Sequence, residues 1–349
     1  MIDLKDLTYE ELAEFLKERG EPAFRTAQIF SWLAKGVTSF DEMTNLSKKT
    51  REHLAQDSFI SSLRIREKHR SKIDGTVKYL FELEDGNCIE TVVMAYQHGL
   101  SVCISSQVGC RMGCGFCAST IGGRYRDLTA GEIFNQVIFA QKDMGQRIGN
   151  IVMMGIGEPL DNFDNVVKFL RNITDSRGFD LGGRHISLST CGLVPRIYEL
   201  AELGFPLTLC ISLHAPNDQI RDTLMPVNHQ YNIGRLMEAC RHYISRTNRR
   251  ITFEYSLIRG VNDGREQAEE LAELLKGMLC HVNLIPVNKV EERRYERSGT
   301  KYVRAFQEIL VQRGINATVR RELGSDISAS CGQLRKKSLE QETGRQNGN

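Results

Sequence analysis

Hydrophobic positions in the first sixty residues recur with the period of amphipathic helices. Thr8 and Glu11 form a capping box ahead of the first helical run, which stops at Gly20. Two further helical patterns follow, the last of them over residues 47–54. We therefore predict a small N-terminal helical domain over residues 1–60.

After this domain the hydrophobic period changes to two, which is the period of a β-strand. Val77, Tyr79 and Phe81 are spaced two apart, and an Asp-Gly turn and a returning apolar run follow them. We predict that residues 61–98 form a β-hairpin that links the helical domain to the rest of the chain.

Between residues 100 and 320, short β-rich runs alternate with amphipathic helical stretches. The predicted strands are residues 101–108, 150–154, 185–190, 207–213, 251–257, 281–286 and 317–320. The predicted helices between them include residues 130–142, 162–173, 267–276 and 303–312. This alternation is typical of parallel βαβ units. It fits both an open doubly wound sheet and a full or partial (β/α) barrel.

The composition is that of an ordinary globular enzyme. Of the 349 residues, 41% are hydrophobic and 26% are charged, which excludes collagen-like and wholly disordered chains. The 46 basic and 44 acidic residues give a net charge of +2, so any nucleic-acid surface must be a local patch. Basic residues cluster at 64–72, 246–250 and 293–297, although such runs are usually solvated faces. The polar segment 335–349 lacks apolar periodicity, and we expect it to be disordered.

The sequence shows no membrane or export segment. The longest stretch without charged residues, 91–110, contains several polar residues and is a poor bilayer span. The N-terminus mixes acidic and basic residues and lacks an apolar signal core. We therefore expect a cytoplasmic protein without membrane contact, whose ten cysteines are free thiols, metal ligands or catalytic groups.

Three of these cysteines lie close together in a glycine-rich loop after the first predicted strand of the α/β region. Cys110, Cys114 and Cys117 have the spacing C-x3-C-x2-C. Three thiolates in such a loop can bind one iron–sulfur cluster, and a cluster with three protein ligands leaves one iron open to a substrate. A zinc site or a chance group of buried thiols are the alternatives.

The cysteine loop resembles that of the radical S-adenosylmethionine (radical SAM) superfamily, whose members bind a [4Fe–4S] cluster after the first strand of a partial barrel. Other motifs resemble the radical SAM RNA adenine methyltransferases, and they are GIGEPL, LSTCGLVP, ISLHAPND, NLIPVN and GSDISASCGQL. The resemblance covers residues 8–335. It implies an α/β fold, with a partial (β/α) radical SAM barrel at residues 99–334 and an N-terminal domain that contacts RNA.

The resemblance also implies catalytic roles for three residues. In the family, the position of Cys331 is methylated by a first S-adenosylmethionine and becomes the methyl carrier. The reduced cluster cleaves a second S-adenosylmethionine, the resulting 5′-deoxyadenosyl radical takes hydrogen from the methylated cysteine, and the thiomethylene radical adds to adenine. Glu90 matches a candidate proton acceptor. Cys103 matches the cysteine that resolves the protein–RNA adduct by forming a disulfide with the carrier.

The residues themselves leave alternatives to these roles. Cys331 lies in a loop of small and polar residues, which is unusual for a structural thiol, although a structural role remains the alternative. Strand alternation places Cys103 on a face with Ser101 and Ser105, where it is either an active-site thiol or a small buried hydrophobe. Alternation gives Glu90 apolar neighbours, which would raise its pKa towards that of a general base, or makes it an exposed acid on an edge strand.

Candidate cofactor contacts fall at the ends of the predicted strands, where ligands bind in α/β proteins. A carboxylate in the Gly-Glu-Pro motif could accept hydrogen bonds from an α-ammonium group, although such a motif is often only a turn. The positions that match the family's S-adenosylmethionine contacts are Gly157, Glu158, Ser189, Ser212, Leu213, His214 and Asn288.

The function implied by the resemblance is methylation of RNA at adenine C2. The implied substrates are 23S rRNA at the peptidyl transferase centre and the adenosine 3′ of the anticodon in some tRNAs. The implied cofactors are one [4Fe–4S] cluster and two S-adenosylmethionine molecules per turnover. The protein is expected to be a monomer, and its implied partner is a low-potential electron donor such as flavodoxin or ferredoxin. Pro159 favours this branch over the C8-methylating antibiotic-resistance enzymes. C8 methylation, an iron–sulfur electron-transfer protein and a zinc-containing RNA-binding module remain the alternatives.

Overall fold

The computed structural model of the protein describes residues 1–97, 99–330 and 332–334. Two of the predictions above, the methyl carrier Cys331 and the disordered tail 335–349, lie outside these residues. The strands of the described part are β1 (Ile2–Asp3), β2 (Ser58–Phe59), β3 (Arg64–Arg70), β4 (Val77–Glu82), β5 (Cys88–Tyr96), β6 (Gly99–Cys103), β7 (Gln107–Gly109), β8 (Arg124–Asp127), β9 (Ile148–Met153), β10 (Ile186–Thr190), β11 (Thr208–Ser212), β12 (Ile251–Leu257), β13 (Cys280–Pro286) and β14 (Ala317–Val319). The helices are α1 (Tyr9–Glu18), α2 (Phe24–Ala34), α3 (Lys48–Leu54), α4 (Ala130–Met144), α5 (Phe163–Thr174), α6 (Val194–Leu203), α7 (Asp218–Leu224), α8 (Ile233–Thr247), α9 (Arg265–Leu274) and α10 (Thr300–Gln312).

The N-terminal helices α1, α2 and α3 pack around a small apolar core of their own. The predicted capping box starts α1: the Glu11 N–H donates to Thr8 Oγ1, and the Thr8 N–H donates to Glu11 Oε2. A buried lysine joins these helices to the barrel, because Lys5 Nζ donates to Asn135 Oδ1 on α4 at 2.8 Å. Burial lowers the pKa of Lys5 to about 8.

Strand order distinguishes between the two architectures that the sequence left open. The ten-stranded sheet has the order β14-β13-β12-β11-β10-β9-β6-β5-β4-β3. The strands from β6 to β14 in this sheet are parallel and adjacent in chain order, whereas a doubly wound sheet reverses its order at a switch point. Within the described residues, β3 and β14 form the two open edges. The partial (β/α) barrel is therefore confirmed.

The predicted hairpin is formed by β4 and β5, which pair in antiparallel fashion. It also continues the main sheet, since β5 pairs with β6 and β3 adds a further strand outside β4. This arrangement makes β5 an interior strand. One face of the hairpin therefore becomes a wall beside the carboxyl ends of the barrel strands.

The predicted strand 101–108 is wrong in its second half, because the chain leaves the main sheet after β6. The Ser105 N–H donates to the side chain of Gln136 on α4, and the Ser106 N–H donates to the carbonyl of Ile156. The following segment, β7, pairs with β8 in a separate two-stranded ribbon. Side-chain and loop acceptors replace the sheet ladder here, and the cysteine loop begins from this ribbon.

The apolar positions of β9 to β13 pack against the barrel helices in one continuous core. Among the described residues, no helix has the length and apolarity needed to span a bilayer. The carboxyl ends of these parallel strands, and the loops that follow them, lie on one side of the molecule.

Candidate active site

The carboxyl ends of the barrel strands surround an open cavity of about 930 Å³, counting space that is continuous with solvent. The predicted site residues that line the cavity are Cys110, Cys114, Cys117, Gly157, Glu158, Ser189, Ser212, His214 and Asn288. The structure therefore brings the three cysteines and six of the seven predicted cofactor contacts together.

The three cysteine thiols fit an iron–sulfur cluster. Burial raises the pKa of Cys110 to about 12 and that of Cys114 well above its usual value, and charge on the neighbouring cysteines raises both further. These groups are therefore neutral thiols without a metal, and a cationic centre would be needed to hold them as thiolates. No group of three ligating side chains in the described ranges is arranged around a single metal ion. A [4Fe–4S] cluster distributes its cysteine ligands over separate irons, so its thiols do not converge on one point.

The segment between β13 and α10 covers the cysteine loop. Arg293 donates from Nη2 to the Cys117 carbonyl at 3.2 Å and to Thr120 Oγ1 at 2.8 Å. The ring of Tyr295 lies so close to Gly115 that an added Cβ would come within 3.2 Å of it. Sequence reasoning treated Arg293 only as part of a basic run, since its contact with the cysteine loop depends on the tertiary fold.

Glu158 links the carboxyl ends of two barrel strands, β9 and β10, by hydrogen bonds. Its Oε1 accepts a hydrogen bond from the Leu160 N–H at 2.9 Å, and its Oε2 accepts one from the Cys191 N–H at 2.7 Å. Burial raises the pKa of this carboxyl, while the backbone donors lower it. The side chains of Thr190 and Cys191 also hydrogen-bond to Glu158, so a ligand ammonium group would share the carboxylate's roughly four acceptor sites with these donors.

The residue before Glu158 must be glycine. Gly157 has a φ of +110°, and a Cβ there would lie 2.7 Å from the side chains of both Ser106 and Gln107. This close approach brings the loop after β9 against the start of the cysteine loop. The Gly-Glu pair therefore shapes the cavity wall.

Sequence reasoning missed two charged residues, Glu254 and Arg320, that line the cavity. Glu254 on β12 accepts a hydrogen bond from Ser189 Oγ at 2.7 Å, and Ser189 Oγ is 3.3 Å from Ser212 Oγ. Arg320, just after β14, lies 3.1 Å from the other Glu254 oxygen. A carboxylate within an otherwise mostly apolar strand was the available signal for Glu254. Arg320 is separated from it by 66 positions and gave no local signal.

His214 is a neutral ring in the folded protein. Burial lowers its pKa to about 3, with a smaller contribution from the Arg221 cation. Its Nδ1 accepts a hydrogen bond from the Ser256 N–H at 2.9 Å, which places the proton of the neutral ring on Nε2. His214 has a φ of +58°, and its ring packs edge-on against Phe116 of the cysteine loop. It therefore offers a neutral Nε2–H donor beside that loop.

His214→Asn is expected to reduce the loss of stability on acidification. The unfolded chain protonates this histidine below pH 6.5 but the folded protein does not until about pH 3, so its contribution is lost as pH falls through that window. Asn retains an acceptor for the Ser256 N–H and tolerates a positive φ. When the pH falls from about 7.5 to about 5.5, the free energy of unfolding of the metal-free wild type, measured with urea, should decrease by about 1 kcal/mol more than that of the variant. Equal losses would contradict the assignment.

Leu213 is the one predicted cofactor contact that the structure does not bring into the cavity. Its side chain is fully buried in the barrel core. Its N–H donates to the Glu254 carbonyl, and its carbonyl accepts from the buried guanidinium of Arg221. Arg221 also bonds the carbonyls of Cys191 and Ser212, so it fixes the ends of β10 and β11 together.

Glu90 and Cys103 lie on β5 and β6, and neither is among the described residues that line the cavity. Cys103 is opposite Val92 in the β5–β6 pair and packs with Ala329 and Leu334. Glu90 is 2% exposed on an interior strand, so the alternative of an exposed edge acid is wrong.

The segment 323–334, which we call the carrier loop, joins β5 and β6 to the cysteine loop. The Ala118 N–H donates to the Gly332 carbonyl at 2.9 Å, and Ser119 Oγ donates to the Leu334 carbonyl at 2.9 Å. Gly332 also lines the cavity. The described residues that flank position 331 are thus anchored between the cysteine loop and Cys103.

Comparisons with known proteins agree with this geometry. Residues 104–275 match the family model "Radical SAM superfamily", and residues 2–60 match "Ribosomal RNA large subunit methyltransferase N-terminal domain". The chain is 57% identical to "Probable dual-specificity RNA methyltransferase RlmN" of Alkaliphilus oremlandii, over 97% of this chain and 99% of that protein. It is 54% identical to the protein of the same name from Clostridioides difficile, over 96% and 98%. A crystal structure of a radical SAM methyltransferase from Sphaerobacter thermophilus has a TM-score of 0.92 at 46% identity, covering 97% of this chain and all of that one.

Proposed function

Since the chain belongs to the RlmN family of radical SAM enzymes, we propose that it is an RNA methyltransferase that methylates C2 of adenine. The observation that supports this most strongly is the shared cavity. The three thiols of Cys110, Cys114 and Cys117 and the carrier-loop residue Gly332 all line it. The loop that we propose accepts the methyl group and the loop that we propose binds the cluster are therefore adjacent.

We assign the chain's residues to cofactor binding as follows. Cys110, Cys114 and Cys117 would hold one [4Fe–4S] cluster, and S-adenosylmethionine would bind among the polar groups of the cavity. When bound, these groups supply the methyl group and the radical chemistry that an electron-poor carbon without an acidic proton requires. Glu158 offers acceptors for the α-ammonium, and His214 offers a neutral donor. The reaction would use two S-adenosylmethionine molecules per turnover, one as the source of the methyl group on Cys331 and one as the source of the radical.

The transfer itself would use three residues of the adjoining wall and carrier loop. Cys331 takes up the methyl group and carries it to the adenine. Glu90 accepts the proton that the adduct releases, and Cys103 forms a disulfide with the carrier to free the product. The packing of Cys103 against Ala329 and Leu334 supports this pairing of roles.

The proposed substrates are 23S rRNA at the peptidyl transferase centre and the adenosine 3′ of the anticodon in some tRNAs. The target base must leave its stack to enter the cavity. The N-terminal domain 1–60 would add RNA contacts, the hairpin 61–98 would connect it to the barrel 99–334, and the enzyme would act as a cytoplasmic monomer. A low-potential donor such as flavodoxin or ferredoxin would reduce the cluster.

The test of this function is methyl transfer under anaerobic conditions. Cluster-reconstituted wild-type protein, a low-potential reductant and methyl-labelled S-adenosylmethionine should label protein-free large-subunit rRNA and tRNA. No label in either RNA, with cluster and RNA intact, would refute the proposal and favour an electron-transfer or binding protein.

Cys114→Ala is expected to lose the cluster. Removing one of three thiolates should reduce bound iron and the visible charge-transfer absorption to near background, and RNA labelling should fall with them. Cys240→Ala is the matched control, because Cys240 is buried on α8 outside the cavity and should keep both signals. Wild-type protein that binds zinc and no iron, or Cys114→Ala protein with full iron, would contradict the cluster assignment.

A further inference from the structure

A buried lysine stands between Glu90 and the carrier loop. Lys78 Nζ lies 3.3 Å from Glu90 Oε1, and the two side chains are 5% and 3% exposed. The same Nζ donates a hydrogen bond to the Ser328 carbonyl at 3.2 Å. One ammonium group therefore contacts both the proposed proton acceptor and the loop that carries the methyl group.

The sheet register places Lys78 on this face. Lys78 on β4 is opposite Val92 on β5, and Glu90 is opposite Leu80, so both charged side chains lie on the side that Val92 shares with Cys103. That side packs against the carrier loop. The charged pair thus lies on the active-site face of the hairpin.

The turn before β4 holds the carrier loop at further points. The Gly324 N–H donates to Asp74 Oδ2 at 2.9 Å, and the Lys72 N–H donates to Asp326 Oδ2 at 3.0 Å. Ser328 has a φ of +51°, a conformation that few residues other than glycine adopt. The carbonyl that Lys78 binds is thus presented by a constrained turn.

A requirement for stability alone does not account for this pair. Burying two charges carries a large desolvation cost, and well-packed apolar residues of similar volume are often as stable or more so. Here, the charged pair occupies a strand face whose other members include Val92 and Cys103. Because the charged pair lies beside the carrier loop, it can position a carboxyl group there, which an apolar pair could not do.

Resting on the function proposed above, we propose that Lys78 is a positioning residue that holds the Glu90 carboxyl group in register with the carrier loop. In the step that it supports, a C–H bond at adenine C2 breaks, its electron pair stays with the base, and the proton joins a Glu90 oxygen. Lys78 touches neither RNA nor cofactor in this account. It acts through Glu90, and its hydrogen bond to the Ser328 carbonyl fixes its own ammonium group beside the carrier loop.

The test separates methylation of the protein from methylation of RNA. Lys78→Met removes the charge at similar length, Lys78→Gln keeps a donor for Ser328, and Lys78→Arg keeps the charge. Each is compared with Glu90→Gln and with the Lys78→Met/Glu90→Gln double variant. Intact-protein mass measures methylation of Cys331, and single-turnover assays measure methylated RNA and the covalent protein–RNA adduct.

Lys78→Met should methylate its own cysteine within about twofold of wild type, while RNA product forms about 100-fold more slowly and the adduct accumulates. Lys78→Gln should show the same pattern, so it can replace Lys78→Met in the test if the Lys78→Met protein does not fold. Lys78→Arg should recover much of the rate. In the Glu90→Gln background, Lys78→Met should cause no further loss. Lys5→Met is the matched control, because it removes another buried ammonium that binds a carbonyl but lies at the N-terminal domain.

Three results would overturn the inference. Equal losses of cysteine methylation and RNA product would show that Lys78 only stabilises the loop. Effects of Lys78→Met and Glu90→Gln that multiply would show that the lysine does not act through the glutamate. Wild-type protein that methylates no RNA would refute the proposed function and this inference with it, whereas either of the first two results refutes the inference alone.

Discussion

Cys331→Ala is expected to abolish RNA methylation and leave cluster assembly intact. The proposed reaction passes the methyl group through this thiol, and no other route to the electron-poor adenine carbon is available, so the loss should be about a thousandfold or more. The cysteines that would bind iron lie on a separate loop. Iron content and visible absorption should therefore match those of the wild type.

Cys280→Ala is the matched control for this experiment. Cys280 is buried on β13, away from the lining of the cavity, and its loss should affect packing only. Labelled nucleosides are quantified after anaerobic reaction with each protein. RNA methylation by the Cys331→Ala protein would show that another group carries the methyl.

Cys103→Ala is expected to accumulate a covalent protein–RNA adduct. Cys103 is proposed to attack the carrier sulfur after the methylene group has joined the base, so its removal blocks only the last step. The variant should form the adduct and release little methylated RNA. Denaturing gel electrophoresis shows the adduct as RNA that migrates with protein, and nuclease digestion followed by peptide mass spectrometry locates the bond.

Two controls make the Cys103 result specific. The Cys103→Ala/Cys331→Ala double variant should form no adduct, because the carrier is absent. Cys280→Ala should release methylated RNA as the wild type does. Normal turnover by Cys103→Ala, or an adduct that persists in the double variant, would contradict the roles assigned to the two cysteines.

Local features of the site were predictable from sequence because short-range covalent geometry determines them. The spacing of Cys110, Cys114 and Cys117 confines three thiols to one loop whatever surrounds it. The capping box at Thr8 is likewise a contact between residues three positions apart. Alternation of strands and helices predicted the parallel sheet, and the family resemblance favoured the partial barrel, which the strand order confirms.

Contacts between distant segments were not predictable in this way. The Lys78–Glu90 pair depends on the register of two strands, and the contact of Lys78 with Ser328 spans 250 positions. The interaction of Arg320 with Glu254 similarly requires the barrel to be assembled. Polar partners at such distances leave no periodic pattern in the sequence. Alternation therefore placed Glu90 correctly on its strand but did not predict its contact with Lys78.

Strand ends were predicted less well than strand centres, for a related reason. The sequence of β6 continues its alternating pattern into residues that bond to Gln136 and Ile156 instead of the sheet. Leu213 adjoins two cavity residues, yet its own side chain belongs to the core. At the carboxyl ends of strands, the side chain's direction decides whether a residue meets a ligand.

The position of the new methyl group tests the central claim most directly. Nucleoside mass spectrometry, after anaerobic reaction of cluster-reconstituted wild-type protein with methyl-labelled S-adenosylmethionine and large-subunit rRNA, would use synthetic C2- and C8-methyladenosine as standards. The account predicts label in C2-methyladenosine, and no label when Cys331 is alanine. Label in C8-methyladenosine would contradict the assignment to C2.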